Sequence, residues 1–450
     1  MKKIILIPSN TDLNRGDQAL VWESIRLIND VFGQEKVQVS LIETGDNEQD
    51  RSRQNNQTRQ LGYSFIRPIL KHPSRIFASK SKTYYSFITL FLWGVRAILD
   101  FVSTRMLLSR NSYINKVGFF FLDAKSKKSL ELFRKCDSVF VKGGGFLHSY
   151  GKITDCYLFY YFLFHIRLAH RYDKKVFVLP NSFGPMKNLY ALKMSKSALL
   201  KCALVTVREK LSYEFLLQKC SVKSMQYPDL GFYLEPSEKS FENYLLSMGV
   251  PIGTSKKKIL ITLRPYRFPD DKKPAQKYDS YINSFAGFID ELINSGHHVT
   301  LFAHTLGPSN HENDNLAIQD VMYKVKSNRD LVHISDESLT CRDVEKIYSY
   351  YDYLIGTRFH SVIFALNVGI PVIAITYGGN KGDGIMKYFR MEDCAIPIEL
   401  VTQKKLVETY QYVLKRNVAL RANIINVRAQ LLEKRNSLVG ILQYSYKNES

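Results

Sequence analysis

Short apolar runs recur along this chain, and most of them end in a polar, often glycine-bearing turn that leads into a helical pattern. The first run, KKIILIPSN, predicts a buried strand; TDLNRGDQAL is a polar turn, and ALVWESIRLINDVF predicts the helix that follows. VQVSLIE predicts a second strand, and the uniformly polar residues 45–62 predict a loop. The pattern resumes at CDSVFVKGGGFLHS, KKVFVLPNSFGP, CALVTVREKLSYEFL and the turn YPDLGF. A second series opens with KKKILITLRPY, passes a helix around 284–294, and continues through HHVTLFAHT, LVHIS and YYDYLIGTRFHSVIFALNVGIPVIAIT. Strands alternating with helices predict an α/β protein whose parallel sheets are covered on both faces. Residues 235–257, rich in Ser, Glu and Lys, separate the two series. A first domain is therefore expected over 1–240 and a second over 255–400. The helical tail, 401–450, is expected to pack back on the first domain.

Residues 64–118 interrupt the alternation. They mix aromatic and aliphatic residues with Arg67, Lys71, Arg75, Lys80, Lys82, Arg96, Arg105, Arg110 and Lys116, and Asp100 is their sole acid. Arg96 and Asp100 break the central apolar run, which argues against a transmembrane helix. Two readings stay open. One is a basic amphipathic segment lying on an anionic membrane surface. The other is a helical basic insertion in the first domain that covers the sheet.

Composition narrows the partners. The chain has 450 residues, too many for one ordinary core, and a formal charge of +21 that implies an acidic partner. Nucleic acid is not expected, because no helix-turn-helix or aromatic RNA-binding signature accompanies the charge. Cys136, Cys156, Cys202, Cys220, Cys341 and Cys394 are scattered without a CxxC pair, which suits buried thiols in a reducing compartment. The apolar run in MKKIILIPSN is too short for a signal-peptide core, so a cytoplasmic location is expected.

The candidate chemistry gathers at predicted strand ends, where open α/β sheets bind ligands. Arg358 and His360 follow the run YLIG; Lys381 follows PVIAIT and a glycine-rich turn. An arginine fork and a lysine can clamp an anion, and an imidazole can move a proton near neutral pH. Arg264 ends KILITLRP at the same expected edge, and His304 ends HVTLFAHT. Gly143, Gly144 and Gly145 follow a strand and are expected to lead into a helix, a setting suited to an anion. Asn14, Gly16 and Asp17 mark a turn in which Asp17 is a candidate helix cap. Arg208 and Glu209 suggest a turn-stabilising pair, and Asp229 either orients a substrate hydroxyl or closes a turn. GxxxxGK[ST], HExxH, clustered Cys/His and GxSxG motifs are missing, so neither P-loop hydrolysis nor a metal site is expected.

In order along the chain, NRGDQAL, DSVFVKGGGFL, VREKLSYEFL, YPDLGF and GTRFHSVIFALNVGIPVIAITYGGNKGDG resemble the polysaccharide pyruvyl transferase family. The last segment is similar to that family's G-x-R-x-H signature with its G-[IV]-P and Y-x-x-K elements, although here one more residue separates Tyr377 from Lys381. The resemblance implies two Rossmann-like domains of GT-B-like architecture with the active site between them. It implies pyruvate transfer from phosphoenolpyruvate to a sugar of an exported polysaccharide, commonly as a ketal, without a further cofactor. His360 would be the general acid, and Arg358, Arg264 and Lys381 would hold phosphoenolpyruvate. Asn14, Asp17, Gly143, Gly144, Gly145, Asp229 and His304 would line the acceptor side or the cleft. The acceptor would be a lipid-linked saccharide, and residues 64–118 would hold the enzyme peripherally at the inner face of the cytoplasmic membrane. The competing readings are a GT-B glycosyltransferase using a nucleotide sugar and a non-catalytic membrane-surface assembly protein.

Overall fold

Short, almost wholly apolar runs cannot form amphipathic helices; buried on both faces, they suit parallel strands, and both sheets of this protein are parallel throughout. The computed structural model describes residues 1–8, 11–73, 86–149, 151, 154–327, 329–377 and 381–448, with the side chains at 146 and 381–383 outside that description. Two units emerge. Unit 1 comprises Met1–Asp12, Leu20–Leu230 and Lys434–Ser450, and unit 2 comprises Leu13–Ala19 and Gly231–Glu433.

The sheet of unit 1 contains β1 (Lys2–Ile7), β2 (Val37–Ile42), β3 (Ser64–Ile66), β4 (Ser138–Val141), β5 (Gly144–Ser149), β6 (Lys175–Met186), β7 (Leu204–Val207) and β8 (Met225–Gln226). Its order is β3-β2-β1-β4-β6-β7-β8, with β5 paired to β6. The sheet of unit 2 contains β9 (Lys258–Thr262), β10 (His298–Phe302), β11 (Leu331–Ile334), β12 (Tyr353–Gly356), β13 (Val372–Thr376) and β14 (Ala395–Pro397), in the order β11-β10-β9-β12-β13-β14. Both orders run outward from the first strand and then reverse, as in doubly wound dinucleotide-binding folds.

The helices are α1 (Arg15–Phe32), α2 (Glu48–Gln60), α3 (Phe87–Leu107), α4 (Ser112–Phe120), α5 (Ala124–Lys135), α6 (Asp155–Arg171), α7 (Leu189–Leu199) and α8 (Lys210–Phe215). They continue with α9 (Glu242–Ser247), α10 (Pro274–Asn294), α11 (Asp314–Lys324), α12 (Cys341–Tyr348), α13 (Phe359–Asn367), α14 (Lys381–Tyr388), α15 (Gln403–Lys415) and α16 (Asn417–Asn448).

Four expectations change. Residues 45–62 contain helix α2 in place of a loop: Asn47 caps it by accepting from Asp50 N, and its buried face is polar. Thr58 receives Trp22 Nε1 at 3.0 Å, and Thr58 N donates to Asp12 Oδ2 at 3.0 Å. Hydrophobic periodicity cannot reveal a helix whose buried positions are Gln54, Asn55, Gln57 and Thr58. Second, Gly143–Gly145 run into strand β5, and the next helix among the described residues starts at Asp155, so an anion site at a helix N-terminus is not what these glycines build. Gly143 instead lets the chain pass Pro180 O, which a Cβ would meet at 3.2 Å.

Third, Leu13–Ala19 belongs to unit 2 although it lies within the expected first domain of 1–240. Leu306 N donates to Leu13 O at 2.7 Å, Asn14 bridges Thr305, and Cys341 N donates to Gln18 Oε1 at 2.7 Å. The tail also divides: Arg421 Nη2 donates to Asp352 O at 2.8 Å in unit 2, whereas Arg435 meets Asp30 at 2.6 Å in unit 1. Fourth, residues 64–66 are a strand, and the buried positions of α3 and α4 are mostly polar or small, whereas large apolar side chains and the cations Arg105 and Lys116 face out.

Burial pushes seven of the ten histidines below their ordinary pKa: His165, His170, His297, His298, His304, His311 and His333. His165 falls to about 3; it stacks on Phe133 at 5.6 Å, and its buried Nε2 has no hydrogen-bond partner among the described residues. These rings charge more readily when unfolded, so the stability they preserve above pH ~6.5 is lost as pH falls toward their depressed folded values. The urea midpoint is therefore expected to drop between about pH 7 and about pH 5. His165→Phe should make that dependence shallower; an unchanged slope would show that this ring is not held neutral.

Candidate functional site

In unit 2 the strand order reverses between β9 and β12, the place where doubly wound sheets open a crevice at their carboxyl ends. The chain delivers its chemistry there. Arg264 lies just past β9, His304 just past β10, Arg358 just past β12 and Tyr377 just past β13. Continuous apolar strands bury themselves and stop where the first polar residues appear, so each polar side chain is left at the same edge.

Arg358 is the anchor. Its Nε and Nη2 lie 2.8 and 2.5 Å from Asp314 Oδ1, and Nη2 also donates to Glu312 O at 2.8 Å. Asp314 is fully buried, and its Oδ2 accepts from Thr305 N at 2.8 Å. Burial alone would weaken the charge on Arg358; the carboxylate of Asp314 outweighs it and holds the guanidinium above its ordinary pKa. Nη1 has no hydrogen-bond partner among the described residues. The fork is thus held along one edge by an acid that sequence reasoning did not single out.

Arg264 is held differently. Its guanidinium stands 4.2 Å over the ring of Tyr377 and 5.4 Å from that of Tyr266, and its buried Nε has no hydrogen-bond partner among the described residues. Aromatic faces orient a guanidinium without occupying its donors. Burial, then Arg267, Arg264 and Arg358, push His311 down to about 4, which leaves it a neutral neighbour of three cations. A cavity of about 50 Å³ beside Arg358 is lined mainly by apolar groups, including Phe359, Val362, Ile375, Tyr377 and Ile385.

His360 lies in the first turn of α13 and is half-buried. Gly16 packs against it so closely that a Cβ there would lie 2.2 Å from His360 Nδ1. The glycine is required by space. Asn14 Oδ1 accepts from Gly16 N at 3.1 Å and Asp17 N at 3.3 Å, so Asn14, in place of the expected Asp17, caps this turn. Asn14 Nδ2 in turn donates to Asp17 Oδ2 at 3.3 Å.

His304 is buried behind these groups. Its Nδ1 is 3.0 Å from Tyr348 Oη, its ring meets Phe364 edge-on at 5.1 Å, and Nε2 has no hydrogen-bond partner among the described residues. Burial, with His360, Arg358 and Arg15 nearby, drives its pKa well down and keeps it neutral.

Unit 2 therefore brings together Arg264, Arg358, His360, His304, Asn14 and Asp17. Lys381 opens helix α14, and its side chain lies outside the described residues. Asp229 belongs to unit 1, where Arg208 Nη1 donates to its Oδ2 and Arg208 Nε donates to Ser182 Oγ at 2.6 Å. That buried pair favours the turn-closing reading of Asp229. Sequence reasoning missed Asp314, Glu312, His311 and Arg267. The RPYR spacing of Arg264 and Arg267 was the one available signal; the others depend on how the β10–α11 connection folds.

The family described as polysaccharide pyruvyl transferase matches residues 14–379. The amylovoran biosynthesis protein AmsJ of Erwinia amylovora is 21% identical over 278 residues, covering 61% of this chain and 64% of that protein. The chain thus spans slightly less than two thirds of the length of this relative. Among solved structures, Glycyrrhiza uralensis UGT73P12 complexed with glycyrrhetinic acid 3-O-monoglucuronide superposes with a TM-score of 0.57 at 11% identity, covering 99% of this chain and 98% of that one. Sucrose-phosphate synthase from Thermosynechococcus elongatus gives 0.56 at 12% identity and 100% coverage of both chains. The S. aureus MnaA–UDP co-structure gives 0.56 at 10% identity, covering 94% of this chain and 90% of that one. At such identities the likeness concerns fold alone, and it agrees with two Rossmann-like domains of the GT-B kind. The family match takes in the Asn14–Asp17 turn, Arg264, Arg358 and His360 in a single span; this chain belongs to the polysaccharide pyruvyl transferase family.

Proposed function

We propose that this protein transfers the pyruvyl group of phosphoenolpyruvate to two hydroxyls of a saccharide destined for an exported polysaccharide, forming a ketal and releasing phosphate. One observation carries the reading: at the switch point of one sheet, an imidazole pressed against a backbone glycine stands in the same helix turn as an acid-anchored arginine. Phosphoenolpyruvate places a carboxylate and a phosphate close together and needs cations with fixed directions. Arg264 and Arg358 are oriented without using all their donors, and Lys381 opens the neighbouring helix.

His360 donates a proton to the methylene carbon, which becomes the methyl group. One sugar hydroxyl then bonds to the former enol carbon and returns its proton to His360. The C–O bond to phosphate breaks, and the second hydroxyl closes the ketal, its proton leaving with phosphate. Asn14 and Asp17, fixed beside His360 through Gly16, are placed to orient the acceptor hydroxyls. The acceptor is lipid-linked and is met at the inner face of the cytoplasmic membrane.

Incubation with phosphoenolpyruvate and extracted lipid-linked saccharides should release phosphate and leave an acid-labile pyruvate on the sugar. Turnover of a nucleotide sugar with indifference to phosphoenolpyruvate would overturn the reading. His360→Ala is expected to lower phosphate release by about 10²-fold or more with phosphoenolpyruvate binding retained. Gly16→Ala must displace the His360 ring, so kcat should fall more than KM rises. Asp314→Asn leaves a buried guanidinium without its counter-charge and should cost about 3–5 kcal/mol of stability, measured by denaturant unfolding.

A further inference from the structure

Helices α3 and α4 turn their polarity inside out. The buried positions of α3 are Asp100, Thr104 and Leu107. Arg96 lies 3.1 Å from Asp100, and Thr104 Oγ1 lies 2.9 Å from Tyr160 Oη. The outward positions include Phe87 (82% exposed), Ile88, Phe91, Val95, Ile98 and Leu99. On α4, Asn115 and Gly118 are buried while Tyr113, Val117 and Phe120 (78%) face out. Asn115 Nδ2 donates to Leu107 O at 2.7 Å, and a Cβ on Gly118 would meet Leu107 N at 2.9 Å, so the two helices touch through polar and small residues.

A helix on a water-soluble protein does the reverse. Small and polar residues at the helix contact, with large apolar side chains outside, are what a helix pair solvated by lipid requires. Charge points the same way: Arg105, Arg110 and Lys116 are exposed on this hairpin, and Asp100, the sole acid of residues 64–118, is buried against Arg96. Exposed cations around an apolar surface complement anionic headgroups.

Length and composition alone would let α3 cross a bilayer, with a mean hydropathy of 1.5 over its most apolar window. Its second half is tied down, however. Phe101 meets the ring of Tyr160 at 4.7 Å, Thr104 bonds the same residue, and Arg171 Nε donates to Ser109 O at 2.7 Å just beyond the helix. The stretch from Phe87 to Leu99 spans roughly 20 Å at helical rise, short of a hydrocarbon core of about 30 Å.

We propose that the α3–α4 hairpin is a monotopic anchor that sinks its apolar faces into one leaflet of an anionic bilayer. This deepens the proposed function, resting on it for the purpose of the anchor and on the hairpin alone for its geometry. Binding is then driven by apolar burial, with the cations as a secondary, screenable contribution.

The test is flotation of the full chain with phosphatidylcholine–phosphatidylglycerol vesicles at about 0.1 M and about 1 M salt. Binding should persist at the higher salt. The triple variant Phe91→Glu, Ile98→Glu, Phe120→Glu should reduce the bound fraction about tenfold or more. Trp93, on α3, should be quenched by lipids brominated on their acyl chains, with the signal absent in Trp93→Phe. Three results would overturn the anchor: no flotation at either salt, release at high salt together with an unaffected triple variant, or a triple variant that dissociates an oligomer while binding vesicles normally. Phosphate release from a detergent-dispersed acceptor is read on the same preparations. Flotation without release sinks the transferase reading alone, and release without flotation sinks the anchor alone.

Discussion

The buried pair between Arg358 and Asp314 is the contact on which the site in unit 2 depends. Asp314 opens α11 and Arg358 precedes α13, so one ion pair joins the connections that follow β10 and β12. The second oxygen of the same carboxylate takes Thr305 N, and Thr305 bridges Asn14, whose turn carries Gly16 to the face of His360. Removing two charges from water is costly, and such a pair persists when further hydrogen bonds complete it. Here Thr305 N and the Glu312 carbonyl complete it. The outcome is positional: an arginine that cannot swing, next to an imidazole that cannot lean toward the glycine.

Around that pair burial shifts several titratable groups toward their uncharged forms. His304 and His311 are neutral because burial and nearby guanidinium groups oppose a further proton. Glu312 is raised by burial, against the opposing pull of Ser309 and Arg358. Positive charge at this edge is thereby carried by the arginines, a setting that favours an anion. Arg264 adds to it from beside two tyrosine rings, a support that consumes none of its donors.

The same chain uses burial in the opposite sense in unit 1. Where α2 hides a polar face beneath Trp22 and Asp12, hydrogen bonds satisfy buried groups such as Thr58. Where α3 and α4 hide Asp100, Thr104 and Asn115 but show phenylalanines outward, a contiguous apolar surface is left exposed. Both departures escape a reading based on hydrophobic periodicity, because in both most of the buried residues are polar or small.

The sequence by itself determined the alternation of strands and helices, the end of each apolar strand, and hence the placement of Arg264, His304, Arg358 and His360 at one edge. Strand burial is a local matter of consecutive apolar residues, and it reads directly from the chain. Tertiary structure alone decided that Asn14–Asp17 works with the second sheet, that Asp314 holds Arg358, and that the glycines at 143–145 begin a strand. It also decided that the basic, aromatic segment turns its apolar side outward. Each of these depends on which residues, distant in sequence, meet through side chains and backbone groups. A pattern of hydrophobicity carries no information about the partner across the fold.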